Sequence, residues 1–320
     1  MNISSVSGRE SALLKKIGAL IASYVDEYDF DNLGNLIAYK KGSDENAKTV
    51  MLCAHADEIG FIVNYIEDNG YIRVAGVGGI NFKAAAYSKV VFENGTVGVI
   101  VPEAKAEDYK ADTFYIDIGA DSKKIAEKKV SIGDFCSVEQ SVDKLLGKRI
   151  VGRPFDDRIG CAVVFDIAKT LTAPKNNVYY VFSTQEEVGC RGAKTAANKI
   201  LPDAALVFDV TLTGDTVGAT PMAVKLGGGA AIKIKDASVI CDRGITEKLT
   251  ALAKEEKIPY QLEILKSGGT DTSSIQTAGM GVLAGALSIP SRYVHTAVEM
   301  VDLKDAEACR DLAIAFVNNF

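Results

Sequence analysis

The stretch Thr49-Val50-Met51-Leu52-Cys53-Ala54 is an unbroken apolar run, and His55-Ala56-Asp57 follows it directly. A run that is apolar throughout, without alternation, is typical of a strand that is buried on both faces of a mostly parallel sheet. Such a sheet needs helices on both of its faces, so this stretch predicts an α/β protein.

Outward from this strand, most of the chain alternates helices with strands. An amphipathic helix is predicted over residues 10–28, because apolar side chains recur there at helical spacing. After residue 152, predicted strands and helices alternate as far as a final helix over residues 305–320. We therefore predict a mixed, mostly parallel sheet covered by helices on both faces, formed by residues 1–60 and 150–320.

Residues 61–149 have a different character. Short β-favouring runs alternate there with turn signals, and Asn94-Gly95 between two apolar runs is a strong hairpin signal. Only residues 122–129 have the pattern of a helix in this stretch. We predict that residues 61–149 form an inserted small domain, either a β-barrel or a β-sandwich.

The composition restricts the classes of function. The 320 residues carry 36 basic and 42 acidic side chains, a net charge of −6, which speaks against a nucleic-acid-binding protein. Only two histidines are present, which excludes a histidine-rich metal site. The six cysteines form no C-x-x-C pair, so we expect free thiols and a reducing compartment. Without a signal-like N-terminus or an apolar run of about 20 residues, we expect a cytoplasmic protein with no membrane partner.

Both histidines lie near acidic residues. His55 ends the buried strand, and Asp57 points to the same face, where a carboxylate can orient a metal-bound imidazole. The alternative is a core histidine beside a surface aspartate. His295 follows the stretch 291–294 and is itself followed by Glu299.

Three acidic segments supply further candidates. Asp156 precedes a predicted helix, where one carboxylate can bridge two cations, although Asp157 beside it suits a simple helix N-cap. Glu186 and Glu187 follow an apolar strand, where one can bind a metal and the other can act as general base; the alternative is an exposed acidic turn. Asp209 ends another buried run, at the edge where open α/β sheets bind ligands.

The joint pattern is more informative than any single motif. His55, Asp156, Glu187, Asp209 and His295 are nitrogen and oxygen ligands that all fall at strand ends or on loops. Five independent coincidences that include both histidines are improbable. We therefore predict that the five residues form one metal centre for hydrolysis.

Several motifs extend this pattern over essentially the whole chain. They are Asn32-Leu33-Gly34-Asn35, residues 54–60, residues 152–158, residues 185–189, residues 268–271 and residues 288–295. In these motifs the sequence resembles the tetrahedral (TET) family of glutamyl, leucyl and deblocking aminopeptidases, some members of which are named endoglucanases.

The resemblance implies two co-catalytic divalent metal ions per subunit, zinc or cobalt, and ligands of this type also accept manganese. It implies that His55 and Asp209 hold one metal and that Glu187 and His295 hold the other. Asp156 would bridge the two.

The resemblance also assigns roles beyond the ligands. It implies that Glu186 is the general base, that Asp57 orients His55 and that the Asp156-Asp157 peptide bond is cis. It further implies a homo-oligomer, in which the insert of residues 61–149 forms dimers and the dimers assemble into a hollow dodecamer.

We predict a metallo-aminopeptidase that hydrolyses the N-terminal peptide bond of short peptides. Gly269, Thr270 and Asp271 lie in a glycine-containing loop and are candidates for the substrate pocket, unless this loop is only a turn before the next helix. The alternatives are a dinuclear amidase or deacylase of small amides, an endoglucanase, and an assembly protein without catalysis. Glycosidases use two carboxylates and need no histidine ligand. The P1 preference stays open between acidic, basic and aliphatic residues.

Overall fold

A large mixed sheet flanked by helices and a smaller closed barrel make up the architecture. The computed structural model describes residues 3–320, and Met1 and Asn2, with which the predicted catalytic domain begins, lie outside the described residues. Within residues 3–320, no helix has both the length and the apolar character needed to cross a membrane.

Outside the barrel, helices alternate along the chain with single strands or short runs of strands. The helices are α1 (Ser11–Ile21), α2 (Phe82–Ala85), α3 (Lys123–Ala126), α4 (Arg158–Thr170), α5 (Arg191–Ile200), α6 (Arg243–Glu255), α7 (Thr272–Gln276) and α8 (Leu303–Asn319). The strands are β1 (Glu27–Phe30), β2 (Leu36–Lys40), β3 (Thr49–His55), β4 (Gly60–Ile66), β5 (Ile72–Val77), β6 (Lys89–Phe92), β7 (Val97–Pro102), β8 (Phe114–Asp117), β9 (Phe135–Val138), β10 (Ser141–Lys144), β11 (Arg149–Arg153), β12 (Asn177–Ser183), β13 (Ala204–Thr211), β14 (Ala230–Lys235), β15 (Tyr260–Ile264), β16 (Leu283–Arg292) and β17 (Glu299–Asp302).

Strand β3 lies in the parallel centre of the large sheet, between β12 and β13. Val50, Leu52 and Ala54 point into the core shared with α1, α4, α6 and α8. Met51 and Cys53 point into the opposite core, which contains residues of α5 and α7. Because both faces are buried, the strand has no polar alternation, and the predicted α/β architecture is confirmed.

At both ends of its main strand order, the large sheet is antiparallel. The strand order is β1-β2-β12-β3-β13-β16-β17-β11-β10, and β14, which pairs with β15, also joins β16. Strand β10 therefore ends the sheet on one side, and it pairs only with β11. This arrangement leaves the carboxyl ends of the central parallel strands together at one edge of the sheet.

The remaining strands close a barrel in the order β4-β5-β8-β7-β6-β9. Its core is separate from those of the large sheet and includes Phe61, Ile72 and Phe114. Strands β10 and β11 pair in the large sheet, so the predicted domain boundary at residues 149 and 150 falls within a hairpin of that sheet. The domain boundaries and the role of the barrel in dimers stay predictions.

Two helix predictions were wrong in extent. The helix predicted over residues 10–28 ends at Ile21, because residues 27–30 pair with β2, and Gly18 leaves room for the rings of Tyr28 and Phe30. The helix predicted over residues 122–129 is limited to α3, and α2 is a second short helix in the same region.

Asn35 attaches the loop after β12 to the rest of the sheet. This buried side chain accepts a hydrogen bond from the Thr184 backbone N–H at 2.9 Å and donates to the Gly192 carbonyl at 2.9 Å. Thr184 begins the segment that carries Glu186 and Glu187. Gly192, the second residue of α5, packs so closely that an added Cβ would lie 2.2 Å from Asn35 Oδ1 and 2.4 Å from the Thr184 carbonyl oxygen.

We expect Gly192→Ala to destabilise the protein by about 1–3 kcal/mol, because the added methyl group overpacks this contact. Activity should fall as well, since the displaced loop carries the two glutamates. Gly244→Ala is the matched control: Gly244 is also the second residue of its helix, but its Cβ would meet only Asp242 Oδ1, at 3.2 Å. Thermal unfolding measures both variants, and equal melting temperatures would contradict the expectation.

Candidate metal centre

The five predicted ligands come together at the carboxyl edge of the parallel strands. Two groups of potential ligand atoms each lie within 4.8 Å of one another: His55 with Asp156 and Asp209, and Asp156 with Glu187 and His295. Asp209 lies two residues before the end of β13, and the other four end a strand or lie on loops. Asp156 belongs to both groups, so the two form one continuous centre.

Asp156 directs one carboxylate oxygen to each imidazole. Its Oδ1 lies 3.1 Å from His55 Nε2, and its Oδ2 lies 3.1 Å from His295 Nε2. Asp209 Oδ1 lies 3.8 Å from His55 Nε2, and Glu187 Oε2 lies 3.4 Å from His295 Nε2. The arrangement is that of a central carboxylate flanked by two pairs of donors.

Both imidazoles present Nε2 to this centre and Nδ1 to an oxygen outside it. His55 Nδ1 lies 3.2 Å from the Asp57 carbonyl oxygen and 3.4 Å from Asp57 Oδ1. His295 Nδ1 lies 2.9 Å from the carbonyl oxygen of Gly79, which follows β5 of the barrel. A proton on Nδ1 would satisfy these oxygens and leave the Nε2 lone pair free, which is how metal-binding histidines are commonly oriented.

The peptide bond between Asp156 and Asp157 is cis, as the family resemblance implied. Asp157 is also the N-cap of α4, where its Oδ1 accepts the Gly160 N–H at 3.0 Å, and its Oδ2 accepts the His55 N–H at 3.3 Å. Asp157 therefore caps the helix, as the alternative interpretation predicted, and Asp156 beside it still lies in the centre.

Asp57 contacts more groups than the sequence suggested. Besides facing His55, its Oδ1 accepts the Glu186 N–H at 3.0 Å, and its Oδ2 accepts the Glu187 N–H at 3.2 Å. Ser7 donates its hydroxyl to the same Oδ2 at 2.6 Å. Burial would raise the pKa of the Asp57 carboxyl, but these hydrogen bonds and the imidazole lower it. Asp57 therefore positions both the histidine and the glutamate loop.

The charges at the centre interact strongly. Burial would lower the pKa of both imidazoles, yet the neighbouring carboxylates raise the pKa of His55 well above its usual range and that of His295 to about 11. Burial raises the pKa of Glu187 and of Asp209, and the charge of Asp156 adds to both shifts. Hydrogen bonds from the two imidazoles more than offset burial at Asp156, so its pKa is lowered.

These residues fit divalent cations. The donors are nitrogen and oxygen atoms in a carboxylate-rich setting, which is a donor set that divalent transition-metal ions accept. Glu187 Oε1 is buried and has no hydrogen-bond partner among residues 3–320. A buried acceptor without a partner is unfavourable, and a cation can satisfy it.

Glu186 lies beside the five donors rather than among them. Burial, aided by the charges of neighbouring carboxylates, raises its pKa well above the usual range. The Cys190 thiol donates to Glu186 Oε1 at 3.3 Å, and Asp271 completes a third group of close donor atoms with these two. A carboxyl with a raised pKa is suited to accept and release a proton near neutral pH.

A cavity of about 470 Å³ opens onto the centre. Besides the charged residues of the centre, its wall contains neutral residues, among them Leu212, Leu265 and Ser238. Of the three predicted pocket residues, Gly269 lines this cavity, whereas Thr270 and Asp271 lie buried behind the wall. The Thr270 hydroxyl pairs with that of Thr272, and Asp271 Oδ2 accepts from the Ser183 hydroxyl. Asp271 makes no side-chain cap to α7.

Glu299 is a further residue of the centre to which the sequence analysis gave no role. Its Oε2 accepts the backbone N–H groups of Phe155 at 2.6 Å and Asp156 at 3.1 Å, and its Oε1 accepts the His295 N–H at 3.1 Å. Burial raises its pKa to about 7. Its position four residues after His295 was the only signal in the sequence, and Cys190 offered none.

Comparison with known proteins points to one peptidase family. Residues 34–312 match the family model of the M42 glutamyl aminopeptidases. An aminopeptidase-named protein of Acetivibrio thermocellus is 48% identical over 95% of this chain and 92% of its own length. The lysyl aminopeptidase of Pyrococcus furiosus is 32% identical over 98% of this chain and 93% of its own.

Solved structures give the same result. An aminopeptidase from the archaeon Desulfurococcus kamchatkensis superposes with a TM-score of 0.95 at 38% identity, over 99% of this chain and 92% of its own. The TET1 peptidase of Pyrococcus horikoshii, which can assemble into a tetrahedron or a large octahedral shell, gives 0.87 at 33%, over 99% and 97%. A protein of Thermotoga maritima named endoglucanase gives 0.84 at 31%, over 99% and 95%.

We expect Glu299→Gln to weaken metal binding about 10–100-fold, as is usual when a residue that orients ligands is lost. An amide keeps one acceptor oxygen and turns an NH2 group toward backbone donors that now lack a partner. Glu247→Gln, on the exposed side of α6, is the control and should bind metal normally. Metal titration by calorimetry checks both, and unchanged affinity in Glu299→Gln would exclude the positioning role.

Proposed function

Because this chain belongs to the M42 glutamyl aminopeptidase family and is an aminopeptidase, we propose that it removes single N-terminal residues from short peptides at a centre of two divalent metal ions. The observation that supports this most directly is the placement of Asp156, with one oxygen toward each imidazole. A carboxylate in that position is suited to bridge two cations.

We assign one metal to His55 and Asp209 and the other to Glu187 and His295, with Asp156 shared. Bound there, the two cations would supply Lewis-acid activation of water and of the scissile carbonyl, and a ligand position for the free α-amine of the substrate. The nitrogen and oxygen donors suit zinc, cobalt or manganese.

Glu186 is the proposed general base. Its carboxylate takes a proton from the attacking water and returns that proton to the nitrogen of the leaving amine. The Cys190 thiol donates a hydrogen bond to its Oε1 at 3.3 Å. Its raised pKa makes the Glu186 carboxylate a stronger base, which favours the first half of this transfer, the removal of a proton from water.

Asp57 and Glu299 are proposed as positioning residues. Asp57 orients His55 and holds the backbone of Glu186 and Glu187, so the base and one ligand move together. Glu299 holds the backbone on both sides of the shared carboxylate. Preorganisation of this kind places the reacting groups before the substrate binds.

We also propose a homo-oligomer. The TET1 peptidase of Pyrococcus horikoshii assembles into closed shells, and this chain covers 97% of it at 33% identity. In this proposal the barrel forms the dimer, and dimers assemble further, into a dodecamer.

The experiment that tests the function is a substrate panel on metal-stripped protein reloaded with zinc, cobalt or manganese. The panel contains acidic, basic and aliphatic aminoacyl-p-nitroanilides, N-acylated amino acids, and a soluble β-glucan. We expect metal-dependent cleavage of the free-amine substrates alone. Preference for the acylated compounds would instead establish a deacylase, and cleavage of the glucan would establish an endoglucanase.

Glu186→Gln should keep both metals and lose about 10²–10⁴-fold in kcat, because the amide cannot accept the proton of water. Glu187→Gln is the matched variant at the adjacent position and should lose metal as well as activity. Elemental analysis together with steady-state kinetics measures both. Loss of metal from Glu186→Gln, with full metal in Glu187→Gln, would reverse the two assignments.

A further inference from the structure

A third group of donor atoms adjoins the candidate metal centre. Glu186, Cys190 and Asp271 each offer one ligand atom, and these atoms lie within 4.8 Å of one another. None of the three residues belongs to the two groups that share Asp156. Unlike those two groups, this one contains a sulfur atom. It therefore offers a cation a different kind of coordination from that of the five predicted ligands.

Asp271 brings to this group a buried oxygen that has no partner. The residue is 1% exposed, and its Oδ2 accepts the Ser183 hydroxyl. Its Oδ1 is buried and has no hydrogen-bond partner among residues 3–320. A buried acceptor without a donor is unfavourable, and a bound cation would satisfy it.

The two carboxylates of the group also burden each other. Burial raises the pKa of Asp271 to about 7 and that of Glu186 well above its usual range, and the charge of Asp271 adds to the shift at Glu186. Two buried like charges at this distance favour the arrival of positive charge. The electrostatics of the group thus agree with its geometry.

Cys190 is accessible, and its thiol is directed to the group. It is the one cysteine of the six that is not buried, and together with Glu186 it lines the cavity that opens onto the centre. It is the N-cap residue of α5, yet its side chain makes no capping hydrogen bond to that helix. The thiol instead donates to Glu186 Oε1. A cation that enters the cavity can reach both side chains.

The distance between sulfur and oxygen suits a shared cation. Zinc binds sulfur at about 2.3 Å and a carboxylate oxygen at about 2.0 Å, so the two atoms lie about 3.5 Å apart on one tetrahedral zinc ion. Cys190 Sγ and Glu186 Oε1 are 3.3 Å apart. Burial raises the pKa of the Cys190 thiol, but a metal ion deprotonates a thiol that it binds. A cation can therefore replace the thiol proton with little movement of the two side chains.

We propose that Cys190, Glu186 and Asp271 form a third, inhibitory site for a thiophilic divalent cation, zinc or cadmium. On binding, the S–H bond breaks, the proton passes to water, and a sulfur lone pair forms the bond to the cation without any change of oxidation state. The cation also takes the Glu186 lone pair that would accept a proton from the attacking water. The inhibition rests on the proposed role of Glu186, whereas the binding does not.

Absorption spectroscopy tests the binding independently of catalysis. Titration of metal-stripped protein with cadmium should produce the ultraviolet charge-transfer band of a cadmium–thiolate bond, with the amplitude of one thiolate per chain. Cys190→Ser should lack the band, because its hydroxyl can still donate to Glu186 but is a poor ligand for a soft cation. Cys136→Ala, which removes a buried thiol of the barrel core, is the control and should show the full band. No band in the wild type, or an equal band in Cys190→Ser, overturns the proposal.

Calorimetry and kinetics with zinc test the inhibition. Protein that holds two zinc ions per chain should bind one more, and hydrolysis of aminoacyl-p-nitroanilides should then fall about 10²–10⁴-fold, as expected when a general base is lost. Each protein is compared with its own rate before the added zinc, and Cys190→Ser should bind no third ion and show no such fall. A third ion without loss of rate overturns the inhibitory role. A wild type without metal-dependent hydrolysis would overturn the proposed function instead, and the cadmium band would still decide the binding.

Alkylation of the native protein tests the site without any substitution. Because the other five thiols are buried, iodoacetamide should modify Cys190 first, which peptide mass spectrometry identifies. Cadmium should slow this modification, since the sulfur lone pair is then bound. Equal rates of Cys190 modification with and without cadmium would contradict the proposal.

Discussion

The buried carboxylate of Asp57 connects the groups on which the site depends. Its oxygens face the His55 imidazole, accept the backbone N–H groups of Glu186 and Glu187, and accept the hydroxyl of Ser7. One side chain therefore relates the end of β3 to the loop after β12. A buried carboxylate is tolerated only while its hydrogen bonds are made, so the glutamate loop cannot move away without leaving a charged group unsatisfied.

Around this point the protein concentrates more negative charge than its own cations neutralise. Two imidazoles face three carboxylates, those of Asp156, Glu187 and Asp209. Burying like charges together is unfavourable unless opposite charge is added, and bound cations are the largest charges that such a site can receive. This excess of negative charge is the electrostatic reason for proposing that two metal ions bind at the centre.

Much of the fold and of the candidate site could be predicted from the sequence, and the predictions that failed have a common cause. The continuous run before His55 predicted a strand buried on both faces, and the final helix was predicted within a few residues of α8. The helix expected as far as residue 28 was wrong because residues 27–30 pair with β2, a partner that local spacing does not reveal. Glu299 was missed because it binds Phe155, which is 144 residues away.

The sequence by itself determined which residue types stand at the ends of the buried strands, because burial and periodicity are properties of short segments. It thereby determined the α/β class, the β-rich insert and the set of candidate ligands. Only the tertiary structure decided that Asp156 faces both imidazoles, that Asp57 also holds the glutamate loop and that Thr270 and Asp271 lie behind the cavity wall. These relations depend on strand register and loop packing between segments far apart in the chain, which no local pattern encodes.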